Sequence, residues 1–419
     1  MLEYFYKEKR TLVDFRRGPL GQHFDDFAAH LKAKRYSLRS AVGVLGKCCQ
    51  FNAFLIERRI SSVAQLSDDL VNSFLEAYHA QSRTTGSKYS PKADARLSIQ
   101  HLLNYLIEAK VFTPPKPKPV IRPYTWLLDP YLRYLRSELD LAERTITYRH
   151  RQLALFLGAL GQRAARKRLK KLKAESVASF VKEYFRDSTA CPNSLSTVLR
   201  QLFHYCAARG YTQTDFSGLI PRIRLYRHAS LPKGMEDAAL EKMLKAIPQD
   251  TPIGARDYSI IIVMMAYGIR GVSAATLLLE DIDWHHSRIH IRAQKGGKEV
   301  VVPLLDSVGE ALIGYLRHRP AGTPFREVFL SARAPFRPLD CNAISRVVQK
   351  RLKRAGVKLP GSGARTLRHS WAIRALAHNS AIKSIADVLG HRYIDTTFIY
   401  AKANLNSLRE VAMPWPGTK

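Results

Sequence analysis

Leu389-Gly390-His391-Arg392-Tyr393-Ile394-Asp395-Thr396-Thr397-Phe398-Ile399-Tyr400 sets a histidine directly after a glycine and a tyrosine nine residues further on. Alone, the stretch is ordinary: a histidine after glycine often caps a helix, and one of 19 tyrosines is usually a core or rim residue. Three neighbouring patterns give it weight. Ala266-Tyr267-Gly268-Ile269-Arg270-Gly271-Val272-Ser273 puts an arginine at the end of an apolar helix, and its glycines leave room for a turn. Ala364-Arg365-Thr366-Leu367-Arg368-His369-Ser370-Trp371-Ala372 follows Gly361-Ser362-Gly363 and carries two arginines and a histidine. Between them, Arg288-Ile289-His290-Ile291-Arg292 alternates polar and apolar, Gln294-Lys295-Gly296-Gly297-Lys298 turns, and Glu299 to Leu304 runs back. That is a β-hairpin pattern with Lys295 and Lys298 at its tip.

The whole chain favours a polyanionic partner. It has 67 Lys+Arg against 35 Asp+Glu, a net charge of +32. So large a charge costs self-repulsion, and an enzyme of small neutral metabolites has no use for it. Nucleic acid comes before membrane as the partner. The longest apolar run, Ile260 to Ala266, is far short of the roughly 20 residues that span a bilayer. The N-terminus lacks the basic-then-apolar signal pattern. Five cysteines (Cys48, Cys49, Cys191, Cys206, Cys341) form neither a CxxC pair nor a zinc-spaced cluster. They read as buried thiols of a reducing cytoplasm, with no metal or other cofactor expected.

At 419 residues with 46% hydrophobic content, the chain suits two or three domains. Thr113-Pro114-Pro115-Lys116-Pro117-Lys118-Pro119, with Pro123 close behind, predicts an extended spacer. A second seam falls between Pro221 and Gly234, where apolar periodicity lapses. The expected organisation is a helical block over 1–113, a linker over 114–123, a second helical block over 124–226, and a mixed α+β block over 230–419.

The two helical blocks read as copies of one plan with a period near 100 residues. Phe24, Phe27 and Leu31 open the first as Leu128, Tyr131, Leu132 and Leu135 open the second. Ile99, Leu102, Leu103 and Leu106 close the first as Val198, Leu199, Leu202 and Cys206 close the second. In the third block, helices are expected over Glu236–Ile247 and Arg256–Tyr267, then the hairpin, then helices from Ser307 to the end.

Residues 144–173 hold ten Lys/Arg and no Asp or Glu. The densest part comprises Arg163, Arg166, Lys167, Arg168, Lys170, Lys171 and Lys173. A charge run is commonly a solvated helix face. On so basic a chain, DNA phosphate is the preferred reading, with affinity falling steeply as salt rises.

Together and in this order, the four patterns of the last block resemble the catalytic domain of the tyrosine recombinases, the phage integrase family of site-specific DNA recombinases. The Leu-Gly-His signature nine residues before Ile-Tyr and the Thr-Leu-Arg-His segment 23 residues upstream carry the resemblance. It covers roughly residues 230–410 and extends to the second block as the helical, SAM-like core-binding domain that precedes catalysis. A second core-binding-like block at the N-terminus exceeds the minimal plan. It suits an extended DNA footprint or a protein–protein contact.

The resemblance implies a set of roles. Arg270 and Arg368 clamp the scissile phosphate with planar, permanently charged forks. Tyr400 is the nucleophile and forms a covalent 3′-phosphotyrosine without metal or ATP. Lys295, or Lys298 close by, protonates the leaving 5′-oxygen, its pKa lowered by desolvation beside cations. His391 donates a hydrogen bond to the phosphate. The implied partner is double-stranded DNA at specific sites, held by two blocks in a C-shape. The implied assembly is a homo-tetramer, or one with sister recombinases, on paired sites. Leu405, Leu408 and Val411 have apolar spacing suited to docking the tail on a neighbour. A mobile element is the natural owner, and the cytoplasmic nucleoid the place of work.

Two positions depart from the family pattern. Ser273 stands where an acid usually follows the first arginine by three, and Arg365 where histidine or lysine usually precedes the second by three. Arginine stays protonated, so Arg365 can stabilise phosphate charge but cannot act as a base. The tyrosine proton must then pass to His391, water or substrate. His369 reads as structural. The alternatives are a catalytically weak accessory DNA-binding subunit and a type IB topoisomerase.

Overall fold

Thr251 and Pro252 start the helix around which the C-terminal region is built. The Thr251 side chain accepts from the Gly254 N–H at 3.1 Å, and Pro252 sits in the first turn, where its missing donor is not needed. The helix therefore runs Pro252–Tyr267, starting four residues before the expected Arg256. Ile260, Ile261, Val263 and Met264 are fully buried, each contributing on the order of 1.5–3 kcal/mol of transfer free energy. A computed structural model of the protein describes residues 1–82, 91–114, 122–187, 192–222, 232, 234–293, 298–358 and 363–401. The linker residues 115–121, the seam 223–231, Cys191, Lys295 at the hairpin tip and the tail from 402 onward lie outside the described residues.

Around this helix pack Asp306–Leu316, Cys341–Arg354 and Gly363–Ala377, forming one continuous hydrophobic cluster with the sheet. The sheet has three antiparallel strands: β1 (Ile282–Asp283), β2 (Arg288–Ile291) and β3 (Val300–Pro303). Ile289 pairs with Val302 and Ile291 with Val300, so the apolar residues share the inner face while Val301 is half exposed. The hairpin expected from the sequence forms in that register; the two-residue β1 was too short to be seen in a pattern. Helices do not run on unbroken from residue 307. Between Leu316 and Cys341 the backbone is irregular, bonded through Leu278–Glu327 and Leu330–Pro338 bridges, with Arg319 donating to three backbone carbonyls.

Residues 1–115 and 230–419 form one compact unit, and 116–229 form a second. The first block and the last are thus continuous in contacts, where the sequence suggested separate blocks. Arg35 donates to the Ala321 carbonyl at 2.7 Å within that unit. Each helical block has its own core and four long helices in the same order. Phe24–Ala33, Leu38–Glu57, Asp68–Ser82 and Pro91–Glu108 build one core; Thr125–Ser137, Glu143–Leu160, Ala174–Asp187 and Pro192–Ala208 build the other. The matched order and lengths fit two copies of one plan. Of the cysteines, Cys48 and Cys206 are buried, while Cys49 and Cys341 are only half-buried; all four are free thiols. No helix among the described residues is long and apolar enough to cross a membrane.

A charged network holds the central helix to its neighbour. Arg256 donates twice to Asp257 Oδ1, at 3.0 and 2.6 Å, and Arg351 Nε donates to Asp257 Oδ2 at 2.8 Å. Asp257 is 1% exposed and Arg351 2%, so neither charge has water as an alternative partner. Asp257→Ala should therefore destabilise the C-terminal region by about 3–5 kcal/mol, read as a lower urea midpoint at unchanged slope. An unchanged midpoint would show that the arginines are satisfied without it.

Candidate active site

Two glycine turns and one helix assemble the site. Gly268 ends the central helix in the left-handed conformation (φ +59°), and a Cβ there would strike Leu389 and Trp371 at 2.9 Å. The turn it makes sends Arg270 back toward Gly363–Ala377. A Cβ on Gly271 would meet Ala364 at 3.3 Å, a tight contact, so glycine eases the close approach of the two segments.

Leu389-Gly390-His391 is the second turn. Gly390, at φ +61°, closes the helix Ile382–Val388. The His391 N–H reaches the Ala386 carbonyl and the Gly390 N–H reaches Asp387, both at 2.9 Å. This is the Schellman arrangement, in which glycine takes the conformation that a side chain would strain. It fixes where His391 points. A Cβ on Gly390 would also lie 3.2 Å from the Lys298 carbonyl, so the return limb of the hairpin passes directly over this turn.

Arg368, from the middle of Gly363–Ala377, ties the turns together. Nη1 donates to the Gly268 carbonyl at 3.0 Å; Nη2 donates to the Leu389 carbonyl and His391 Nε2, both at 2.8 Å. A guanidinium has no acceptor, so His391 Nε2 must accept and its proton must sit on Nδ1. That Nδ1 lies 2.7 Å from Thr397 Oγ1, which takes the proton's hydrogen bond. His391 is therefore neutral: burial, then the charges of Arg368 and Arg270, push its pKa down to about 4. Both ring nitrogens are engaged, so donating to a phosphate requires Arg368 or the ring proton to shift.

Arg368 is 7% exposed, and burial followed by the Arg270 charge brings its pKa down to about 10, still protonated at neutral pH. Arg270 is half-buried and likewise lowered by desolvation. No carboxylate acts on Arg270, Arg368, His391 or Tyr400 among the described residues. Ser273, the position of the missing acid, is itself buried. Buried cations without a counter-ion are costly unless an anion arrives. A phosphodiester is such an anion.

Tyr400 lies in the short helix Phe398–Ala401, 2% exposed and packed with Ala372, Leu376, Ile385 and Leu389. Burial raises its phenol pKa, while Arg368, Arg270 and Arg365 pull it the other way. Its hydroxyl is 3.0 Å from His369 Nδ1. His369, which the sequence reading left as structural, thus touches the candidate nucleophile. Buried Thr397 also went unseen as a site residue, although it sits three positions before the tyrosine within the quoted stretch. Arg365 is exposed and acts on His369 and Tyr400 through its charge. Lys298 is exposed on the return limb of the hairpin. Just beyond the last paired residue of β2, on the turn side of that hairpin, Arg292 donates to buried Asp281 at 2.9 Å.

The seven basic residues of the second block form no part of this cluster. Arg163, Arg166, Lys167, Arg168, Lys170, Lys171 and Lys173 are all exposed on the short helical turns around Arg166–Leu169, anchored beneath by buried Ala164 and Leu169. Arg166 lies over the Trp126 ring at 5.8 Å. None pairs with a carboxylate among the described residues.

The two turns thus bring two arginines, a histidine and a tyrosine together in one carboxylate-free cluster among the described residues. The phage integrase family matches residues 233–407. "Putative integrase/recombinase y4rA" of Sinorhizobium fredii is 31% identical over 99% of both chains, and the tyrosine recombinase XerD of Listeria monocytogenes is 26% identical over 68% of this chain and 96% of its own. The chain belongs to the phage integrase family, the tyrosine recombinases. The crystal structure of XerH site-specific recombinase in a post-cleavage complex with a palindromic difH substrate shares its fold. That similarity has a TM-score of 0.52 at 19% identity, covering 70% of this chain and 97% of the other.

If the basic turns bind DNA, neutralising Lys167, Arg168, Lys170 and Lys171 to glutamine should lower the slope of log K against log salt by about 0.9 per lost phosphate contact. An unchanged slope in a salt titration would return these residues to a solvated surface.

Proposed function

We propose that this protein is a site-specific DNA recombinase that cuts and rejoins strands through a covalent 3′-phosphotyrosine at Tyr400, in the service of a mobile genetic element. The observation that carries it is a buried tyrosine hydroxyl beside two arginines and a histidine, under net positive charge with no carboxylate among the described residues. The scissile phosphate enters between Arg270 and Arg368 and is bound by their guanidinium forks. Tyr400 Oη attacks phosphorus, the P–O5′ bond breaks, and the departing 5′-oxygen takes a proton from a hairpin lysine, Lys298 or Lys295. Attack by the 5′-hydroxyl of another strand reverses these steps, so the bond energy is conserved in the phosphotyrosine.

Entry of the phosphate also recruits His391. Arg368 turns from the histidine toward the phosphate, and the ring's single proton passes from Nδ1 to Nε2, which then donates to a phosphate oxygen while Nδ1 accepts from the Thr397 hydroxyl. Thr397 keeps the ring oriented throughout. The exposed basic turns of the second helical block hold the duplex, and the chain works on paired DNA sites as a tetramer or with sister recombinases. Its resemblance over 99% of both chains to a protein named as a putative integrase/recombinase supports the recombining role alone.

A nicked suicide substrate, from which the cut 5′ fragment diffuses away, tests the reading. The wild-type protein should accumulate a denaturation-resistant DNA adduct, and Tyr400→Phe should form none while binding the same DNA. Binding without an adduct in the wild type would point instead to an accessory DNA-binding subunit. Plasmid relaxation with no site preference would point to a topoisomerase.

A further inference from the structure

The chemistry at Tyr400 leaves one proton without a destination. The phenol must lose it as the Oη–P bond forms, and its pKa is raised by burial. Arg365, where a histidine would ordinarily be placed to take it, is permanently charged. Arg270 and Arg368 are charged as well. His391 is unsuited: Thr397 engages Nδ1, and Nε2 faces Arg368 or, with the phosphate bound, donates to a phosphate oxygen.

We propose that His369 is the general base that takes the Tyr400 proton, a catalytic residue in place of the histidine that this chain lacks at position 365. The proposal rests on the reading of Tyr400 as nucleophile. His369 Nδ1 stands 3.0 Å from Tyr400 Oη, within direct proton-transfer reach. The two rings lie 5.6 Å apart between centroids and are tilted by 58°, so they do not stack.

The placement follows from the helix. His369 comes one residue after Arg368, about 100° around the axis, so one side chain enters the phosphate pocket while the next meets the helix Phe398–Ala401 that carries the tyrosine. The same helix thereby positions both the electrophile's clamp and the nucleophile's base.

The ring is kept ready to accept. Burial, then the charges of Arg365 and Arg368, lower its pKa below the ordinary imidazole value. The charged groups acting on it are these two arginines of its own helix; from the facing helix comes the neutral phenol, and no carboxylate acts on it among the described residues. His369 is thus neutral at physiological pH. Arg365 gains a purpose here. It cannot accept a proton, but it disfavours the protonated ring beforehand and favours the phenolate.

The proton balance is complete. On attack, the Oη–H bond breaks and its proton moves to His369 Nδ1 as the Oη–P bond forms. On rejoining, the imidazolium returns that proton to Tyr400 as the phosphotyrosine bond breaks. The lysine handles the other proton, on the 5′-oxygen.

The test uses the full-length protein on the nicked suicide substrate, with adduct formation timed across pH. His369→Ala should slow the adduct by about 100-fold to 10,000-fold at undiminished DNA affinity, and should remove the decline in rate that the wild type shows on acidification below the ordinary imidazole range. Placing 3,5-difluorotyrosine at position 400, whose phenol is more acidic, should restore most of the loss in His369→Ala and change the wild type little. A purely structural role for His369 would move neither the pH limb nor the fluorotyrosine rescue. Should His369→Ala lose DNA binding, His369→Gln carries the test, since it keeps the bulk and a hydrogen bond but takes no proton. A variant within about threefold of the wild type, or a loss that fluorotyrosine fails to repair, overturns the proposal. Absence of any Tyr400 adduct in the wild type instead overturns the nucleophile assignment on which it rests.

Discussion

The site depends on one buried guanidinium. Arg368 holds the Gly268 carbonyl, the Leu389 carbonyl and His391 at once, joining the end of the central helix to the turn before the tyrosine segment. Those two turns are more than 120 residues apart in sequence and have no strand pairing in common. Without Arg368 the two backbone carbonyls would lose a charged donor in a place water reaches poorly, and each such loss costs roughly 1–3 kcal/mol. In the proposed reaction the same residue is also one of the cations that meet the phosphate. Structural tie and chemical charge are one group, which explains why burial is tolerated with no carboxylate beside it.

The glycines carry as much of the site as the charged residues do. Gly268 and Gly390 turn the backbone left-handed and Gly271 stands where a Cβ would fit tightly, and each lies beside a candidate catalytic group. A sequence shows such glycines next to arginine and histidine but not what they avoid. This is why the four motifs were legible while their connections were not. Arg270, Arg368, His391 and Tyr400 were implied by the family resemblance and lie together in space. Thr397 and His369 did not follow, because a hydroxyl within a Thr-Thr pair and a histidine beside an arginine have unremarkable structural readings until their partners are known. The hairpin was readable from its alternation, whereas the irregular segment between Leu316 and Cys341 carries no periodicity. Its order comes from Arg319 and from isolated bridges. The grouping of the first helical block with the last was likewise invisible, since it depends on surfaces such as the Arg35–Ala321 contact and not on any repeating pattern.

The net charge of +32 resolves into two kinds of cation. Arg368, buried, and Arg270, half-buried, lie close together and short of counter-ions. Their cost is recovered only when an anion of matching shape binds between them. Others, such as the seven on the turns around Arg166–Leu169, are exposed and individually weak. Their effect is additive, long-ranged and screened by salt. The first kind suits the transition state of one phosphodiester; the second suits the length of a duplex.

The central claim is that the buried cations await the charge of the scissile phosphate. Arg270 gives the cleanest view of it, because its guanidinium makes no hydrogen bond or ion pair with a described residue and so has little structural work to lose. The direct measurement is adduct formation by Arg270→Ala on two nicked substrates that differ at the scissile position alone, one a native phosphodiester and the other a neutral methylphosphonate. On the native substrate the variant should fall about 100-fold to 1,000-fold below the wild type, and on the neutral one it should recover to within about tenfold. An equal defect on both substrates would show that Arg270 does something other than meet phosphate charge, and would contradict the account.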